Sequence, residues 1–164
     1  MYNIFDIADS FLSRENVMPH KKLQKLCYYA YAWNLSLHNK ELFDGKFEAW
    51  VHGPVDPDLY DKYRKEYEVF FNSDNYSKLD KKTEKFIDCI YNRYGCLSAL
   101  ELEALSHFED PWKIARGKIP SFKPSKNPIQ MDHIKDFYKK TYGDITIENI
   151  NFRHKLRKYW DEYN

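Results

Sequence analysis

His52, Asp56 and Asp58 are the residues whose types and spacing come nearest to a catalytic set. They lie in the run FEAWVHGPVDPDLY, residues 47–60. A histidine oriented by a carboxylate can serve as a general base, which would make this chain a hydrolase using His52. A plainer account fits the same residues and is preferred. Asp56 precedes Pro57, and an Asp ahead of a helix-starting proline is already explained by capping. His52 can likewise satisfy backbone groups at the Gly53-Pro54 corner. The other histidines are His20, His38, His107, His133 and His154, and no two of the six have the four-residue separation of a helical zinc pair. Cys27, Cys89 and Cys96 form no CxxC, so neither a zinc knuckle nor a disulfide framework is indicated. A Cys with a His can form a nucleophile pair, but the sequence assigns no partners. There is no GxSxG, Walker A loop or GxGxxG, and 5 glycines leave little room for a phosphate cradle. The expectation is a protein without cofactor or metal and not an enzyme.

The elements that must position this corner follow from spacing. Phe47, Ala49 and Val51 alternate with Glu48, Trp50 and His52, a strand-like period of two. Gly53-Pro54 reads as a tight turn and Asp56-Pro57 as the cap and first turn of a helix through Tyr60, Tyr63 and Tyr67. Upstream, Asn3 caps a helix to about Leu12, and residues 13–19 read as a connector. From His20 to about His38, Leu23, Leu26, Cys27, Ala30, Trp33 and Leu37 recur at helical spacing, with Lys21, Lys22 and Lys25 placed on the solvated side. Downstream, Asp80 caps a helix stopped by Gly95. Ser98 and Glu101 form a capping box, and Pro111-Trp112 opens a short helix ending at Gly117. Residues 118–128 hold three prolines and read as loop. Residues 132–142 read as helix. In the tail, Ile145, Ile147 and Ile150 suggest an extended piece and residues 155–163 a charged terminal helix. The fold class expected is mainly α: a single compact helical domain with a small β element around residues 47–51 beside a central helix.

Bulk numbers narrow the partners. A chain of 164 residues is one domain by the usual prior and buries roughly two thirds of its unfolded surface. Lys and Arg total 26 against 25 Asp and Glu, a net charge of +1, without the basic excess of a free-standing nucleic-acid binder. A DNA-binding regulator would need Lys21, Lys22 and Lys25 on one face with Arg153, Lys155, Arg157 and Lys158. Nucleic acid is therefore not the expected partner. No signal peptide opens the chain and no run of about 18 apolar residues occurs, so the expectation is a cytoplasmic protein without membrane contact. Aromatics reach 18% of residues, beyond the needs of a core this size. Tyr and Trp are enriched where proteins bind each other, but the plainer account, Tyr in place of Phe or Leu at half-buried positions, is preferred.

Four separated runs, in order, resemble the SocA-like antitoxin family, also called the Panacea domain. They are KLQKLCYY (residues 22–29), EAWVHGPVDPDLY (48–60), LSHFEDPWKIARG (105–117) and NPIQMDHIKDFY (127–138). The resemblance covers about residues 1–142, with 143–164 as a C-terminal extension of the same domain. Cys27 stands where the family commonly has Leu, a mild core change. The resemblance implies a non-enzymatic protein that neutralises a partner toxin by direct binding. The founding SocA type instead acts as a proteolytic adaptor delivering its toxin to the ClpXP protease. Members also occur in prophages, so the cytoplasm is bacterial, or that of the host for a phage-encoded chain. The motif positions offered for partner binding are Lys22, Gln24, Lys25, Tyr28, Tyr29, Trp50, His52, Gly53, Pro54, Tyr60, Pro111, Trp112 and Arg116.

Overall fold

The computed structural model describes residues 1–144 together with Thr146 and Ile150. The predicted terminal helix at 155–163, and Ile145 and Ile147 of the predicted extended piece, lie outside the described residues. Among the described residues the architecture is mainly α, with two small antiparallel sheets of two strands each.

The spine is α2 (His20–His38). It packs against α1 (Ile4–Glu15), α4 (Lys81–Tyr94), α5 (Ala99–Phe108) and α7 (Met131–Tyr142). The spacing predicts one apolar stripe with Lys22 and Lys25 in solvent. Instead every residue from Lys22 to Leu35 is buried. A helix enclosed on all sides must satisfy its polar side chains internally. Lys22 Nζ reaches Glu15 at 2.9 Å and the Gly95 carbonyl at 2.8 Å. Asn34 Nδ2 donates to the Lys40 carbonyl at 2.6 Å. Lys21 alone of the three lysines keeps partial exposure.

Helix starts follow the caps read from sequence. Asn3 and Asp6 form a capping box on α1. Asp56 caps α3 (Pro57–Tyr63), Asp80 caps α4, and Ser98 with Glu101 boxes α5. α6 is Asp110–Arg116, with Pro111 in its first turn. Two expectations fail together. The connector 13–19 contains β1 (Val17–Pro19), and the helix expected to run through Tyr67 stops at Tyr63 and yields to β4 (Glu68–Phe70). Val17 pairs with Phe70 and Pro19 with Glu68. Strand-end bonds from Phe71 N to Asn16 O (2.7 Å) and from His20 N to Tyr67 O (2.9 Å) close the ladder. Arg64, Lys65, Glu66 and Glu68 carry good helix propensity, but pairing with a distant segment overrides a local preference worth a few tenths of a kcal/mol per residue.

The corner also differs in register. β2 is Glu48–Trp50 and β3 is Gly53–Val55, with Trp50 opposite Gly53 and Ala49 opposite Pro54. The two-residue turn is therefore Val51-His52, not Gly53-Pro54. Pro54 is tolerated because a proline lacks only the N–H, and a short hairpin edge need not use it. Loop 118–128 returns along the other side of β2, where Ala49 N donates to Asn127 O and Ile129 N to Phe47 O, both at 2.8 Å.

Gly53 is fixed twice over. Its φ is +97°, and a Cβ there would sit 2.7 Å from both Lys25 Cε and Ser106 Oγ. Gly53→Ala is expected to cost about 2–3 kcal/mol, from the strained backbone and the crowding combined. A thermal melt checks this: an unchanged midpoint would contradict it.

No described helix is long and apolar enough to cross a membrane.

Candidate functional site

The motif residues converge on the hairpin β2–β3, chiefly on its backbone. From α2, Gln24 embraces Asp56: its Nε2 donates to the Asp56 carbonyl at 3.1 Å and its Oε1 accepts the Asp56 N–H at 3.0 Å. At the very next position, Lys25 Nζ donates to the Pro54 carbonyl at 2.9 Å. From α6, Trp112 Nε1 donates to the Trp50 carbonyl at 2.9 Å, and Arg116 Nη1 to the Ala49 carbonyl at 3.0 Å. Pro111 is buried at the start of that helix. The KLQK, GPV and PWxxAR runs thus form one device for holding a short hairpin at a fixed angle to the spine.

Tyr28 and Tyr29 do a different job. Both are buried, Tyr28 edge-on to Phe47 at 5.3 Å and Tyr29 stacked on Tyr94 at 4.1 Å. They are core residues with no face for a partner. Lys22 and Lys25 are likewise enclosed rather than presented.

The held hairpin borders an open cavity of about 460 Å³. Gln24 and Lys25 lie beneath it. Trp50, Val55, Tyr60 and Pro124 supply its apolar walls. Tyr60 meets Trp50 edge-on at 4.8 Å and stacks on His20 at 5.7 Å, so three rings brace each other. Trp50 is half-buried, and its indole N–H is taken by Glu48 at 2.6 Å. What it offers the cavity is therefore an apolar ring.

His52 stands at the exposed tip, but its carboxylate partner is neither Asp56 nor Asp58. Its Nδ1 lies 2.9 Å from Glu103 Oε1, on α5. Glu103 Oε2 accepts from Lys21 at 2.5 Å. Burial pushes the Glu103 carboxyl up, but the bonds from Lys21 and His52 outweigh it and hold the group below the usual carboxylate range. An ionised carboxylate only accepts, so His52 donates through Nδ1. Asp56 is fully engaged as a cap: Oδ1 takes the N–H groups of Asp58 and Leu59, and Oδ2 that of Lys46 at 3.2 Å. The His–Asp pair weighed as a general base is not assembled, and Asp56 is the helix cap of the preferred account.

Lys25 is fully buried, and burial pulls its ammonium down to about 7, with Glu103 opposing and Lys21 adding to the fall. Cys27 is buried and its thiol is pushed well up, the opposite of a nucleophile's environment. Among the described residues no group of three His, Cys, Asp or Glu side chains could hold a metal.

The residues missed from sequence are Glu103, His20 and the wall at 124–126. Glu103 sits 82 residues from Lys21, and no local pattern joins them. His20 reads as a helix start, and only the fold turns its ring toward Tyr60.

What these features define is a small helical scaffold that holds an open, ring-walled cavity beside a clamped hairpin. Residues 23–113, more than half of the chain, match the family described as antitoxin SocA-like, Panacea domain, and the chain belongs to that family. No curated protein and no solved structure matches it. The family suggests a toxin–antitoxin role with a protein partner and a non-enzymatic mode of action.

Proposed function

We propose that this chain neutralises a partner toxin by binding it directly, with the cavity beside Trp50 at the centre of the contact. Family membership carries the reading. The geometry supports the placement, since Trp50 and Tyr60 are rings rigidly braced yet open to solvent, the profile of an interface anchor. The chemistry at His52 adds little to a hydrolase reading, because its carboxylate is already shared with Lys21.

Co-expression with the product of the adjacent reading frame tests this. Growth rescue and a complex that survives gel filtration are expected. Trp50→Ala is expected to weaken the complex by about thirtyfold, the roughly 2 kcal/mol of an interface hot spot. Tyr67→Ala, at a residue 83% exposed and outside the cavity, is the control for a surface aromatic. Neither rescue nor complex would sink the proposal. A toxin level that falls only when both this chain and ClpXP are present would replace direct neutralisation with delivery to the protease.

A further inference from the structure

The charges around the cavity are one-sided. Lys21, Lys25, Lys126, His20 and His52 line it, and no Asp or Glu does. The chain as a whole is nearly neutral, so this sign excess is local. Two carboxylates stand just behind the lining: Glu103 offsets Lys21 and His52, and Glu48 holds the Trp50 indole N–H. Two cations are left over. Lys126 is exposed and has no side-chain bond or ion pair among the described residues. Lys25 has one acceptor, the Pro54 carbonyl, for three N–H donors. The surfaces that a ligand would touch first are apolar. Pockets of this kind take an apolar group and orient it with a few polar contacts.

We infer that the cavity accepts an apolar side chain flanked by carboxylates, presented by an acidic segment of the partner toxin. This rests on the antitoxin reading above and adds the chemistry of the recognised segment. The apolar side chain enters between Trp50, Tyr60 and Pro124. The flanking carboxylates remain at the mouth, where the exposed Lys126 meets one of them. Lys25 lies under the floor and contributes its field rather than a contact. A basic or neutral segment finds the same walls but no charge partner, and a strongly basic one is repelled.

Three synthetic peptides test this by NMR, following the Trp50 indole N–H and the His52 ring: acetyl-Glu-Asp-Trp-Asp-Glu-amide, acetyl-Gln-Asn-Trp-Asn-Gln-amide and acetyl-Glu-Asp-Ala-Asp-Glu-amide. The first is expected to bind at least tenfold more tightly than either control. Its affinity is expected to fall about tenfold in Lys126→Glu, a surface change that leaves the melting midpoint in place. Equal affinity for the neutral peptide, or no effect of Lys126→Glu, overturns the inference. So does self-association of the chain that Trp50→Ala abolishes, which would make a second copy the occupant. The co-expression result separates the two proposals. If wild type and Lys126→Glu neutralise equally, the charge chemistry is wrong and the antitoxin reading stands. If the acidic peptide binds but no toxin is neutralised, the antitoxin reading fails while the cavity's preference stands.

Discussion

Arg116→Ala is expected to remove about 3–5 kcal/mol of stability and to abolish ligand binding at the cavity together. Arg116 is buried; both Nη atoms donate to carbonyls, while Nε has no bond among the described residues. Nη1 donates to Ala49 on β2 at 3.0 Å. Nη2 reaches Pro120 at 2.7 Å and Lys123 at 2.6 Å, with Ser121 at 3.4 Å. The ring of Trp112 lies 5.0 Å from the guanidinium carbon. One side chain thus ties the hairpin to the start of loop 118–128. Truncation leaves several carbonyls without a donor, each costing about 1–3 kcal/mol where it stays buried. Some will find water, which keeps the total well below the sum over all the carbonyls. The loss is a large fraction of the about 5–15 kcal/mol that holds a typical domain together.

Arg116→Lys should recover less than half of the loss. An ammonium is a compact donor on a flexible stem, and it cannot face Ala49 and the loop carbonyls at once as a planar fork does. The functional consequence follows from position. Pro124 and Lys126 stand just past the tethered stretch, so releasing it displaces one wall of the cavity. Urea unfolding followed by tryptophan fluorescence, with the acidic-peptide titration in parallel, checks both halves. A variant that keeps its midpoint and still binds would show that the loop is held by other bonds.

The sequence marks such features unevenly, for physical reasons. Capping is local chemistry, so Asn3, Asp56, Asp80 and Ser98 announce their helices within three residues, and all four side chains accept the bonds expected of them. The central helix is visible because apolar spacing survives even where every face is buried. That same completeness hides Lys22 and Lys25. A lysine reads as solvated unless its partner is known, and their partners are Glu15, Gly95 and Pro54, none adjacent in sequence. β1 and β4 are too short for a period of two to show, and they exist only because residues some fifty positions apart pair. The Gly53-Pro54 signal is sound as punctuation, but the positive φ at Gly53 serves close approach to Lys25 and Ser106, not the tip of the turn. The cavity has no local signature. Its charge excess comes from three segments, and its acidic counterpart Glu103 from a fourth.

Stability is expected to pass through a minimum between about pH 7 and 8, because two buried groups titrate against each other. Glu109 is enclosed, with Tyr29 as donor to Oε1 at 3.2 Å and no bond to Oε2 among the described residues. Burial raises its carboxyl to about 8, against lowering by Tyr29 and Arg93. The unfolded chain releases this proton near 4.5, whereas the folded chain keeps it until about 8. The folded state therefore binds more protons in that window, and stability falls as pH rises through it. Lys25 has the opposite sign. Its folded value of about 7 lies below the unfolded 10.5, so the penalty of a buried ammonium is complete below about pH 7 and is relieved as pH rises to 10.5. Each shift amounts to about 3–5 kcal/mol at one pKa unit per 1.36 kcal/mol. Glu109→Gln keeps an acceptor for Tyr29 and cannot ionise, so it removes the fall on the acid side. Lys25→Met removes the rise on the alkaline side and stabilises most below pH 7, less the about 1 kcal/mol lost when the Pro54 carbonyl gives up its donor. Urea midpoints from pH 4.5 to 10.5 measure all three curves. A wild-type curve with no minimum, or one unchanged by both substitutions, would refute the assignment. The acidic partner inferred for the cavity favours the charged form of Lys25, so binding offsets part of the buried-ammonium penalty, most fully below about pH 7 where that penalty is complete.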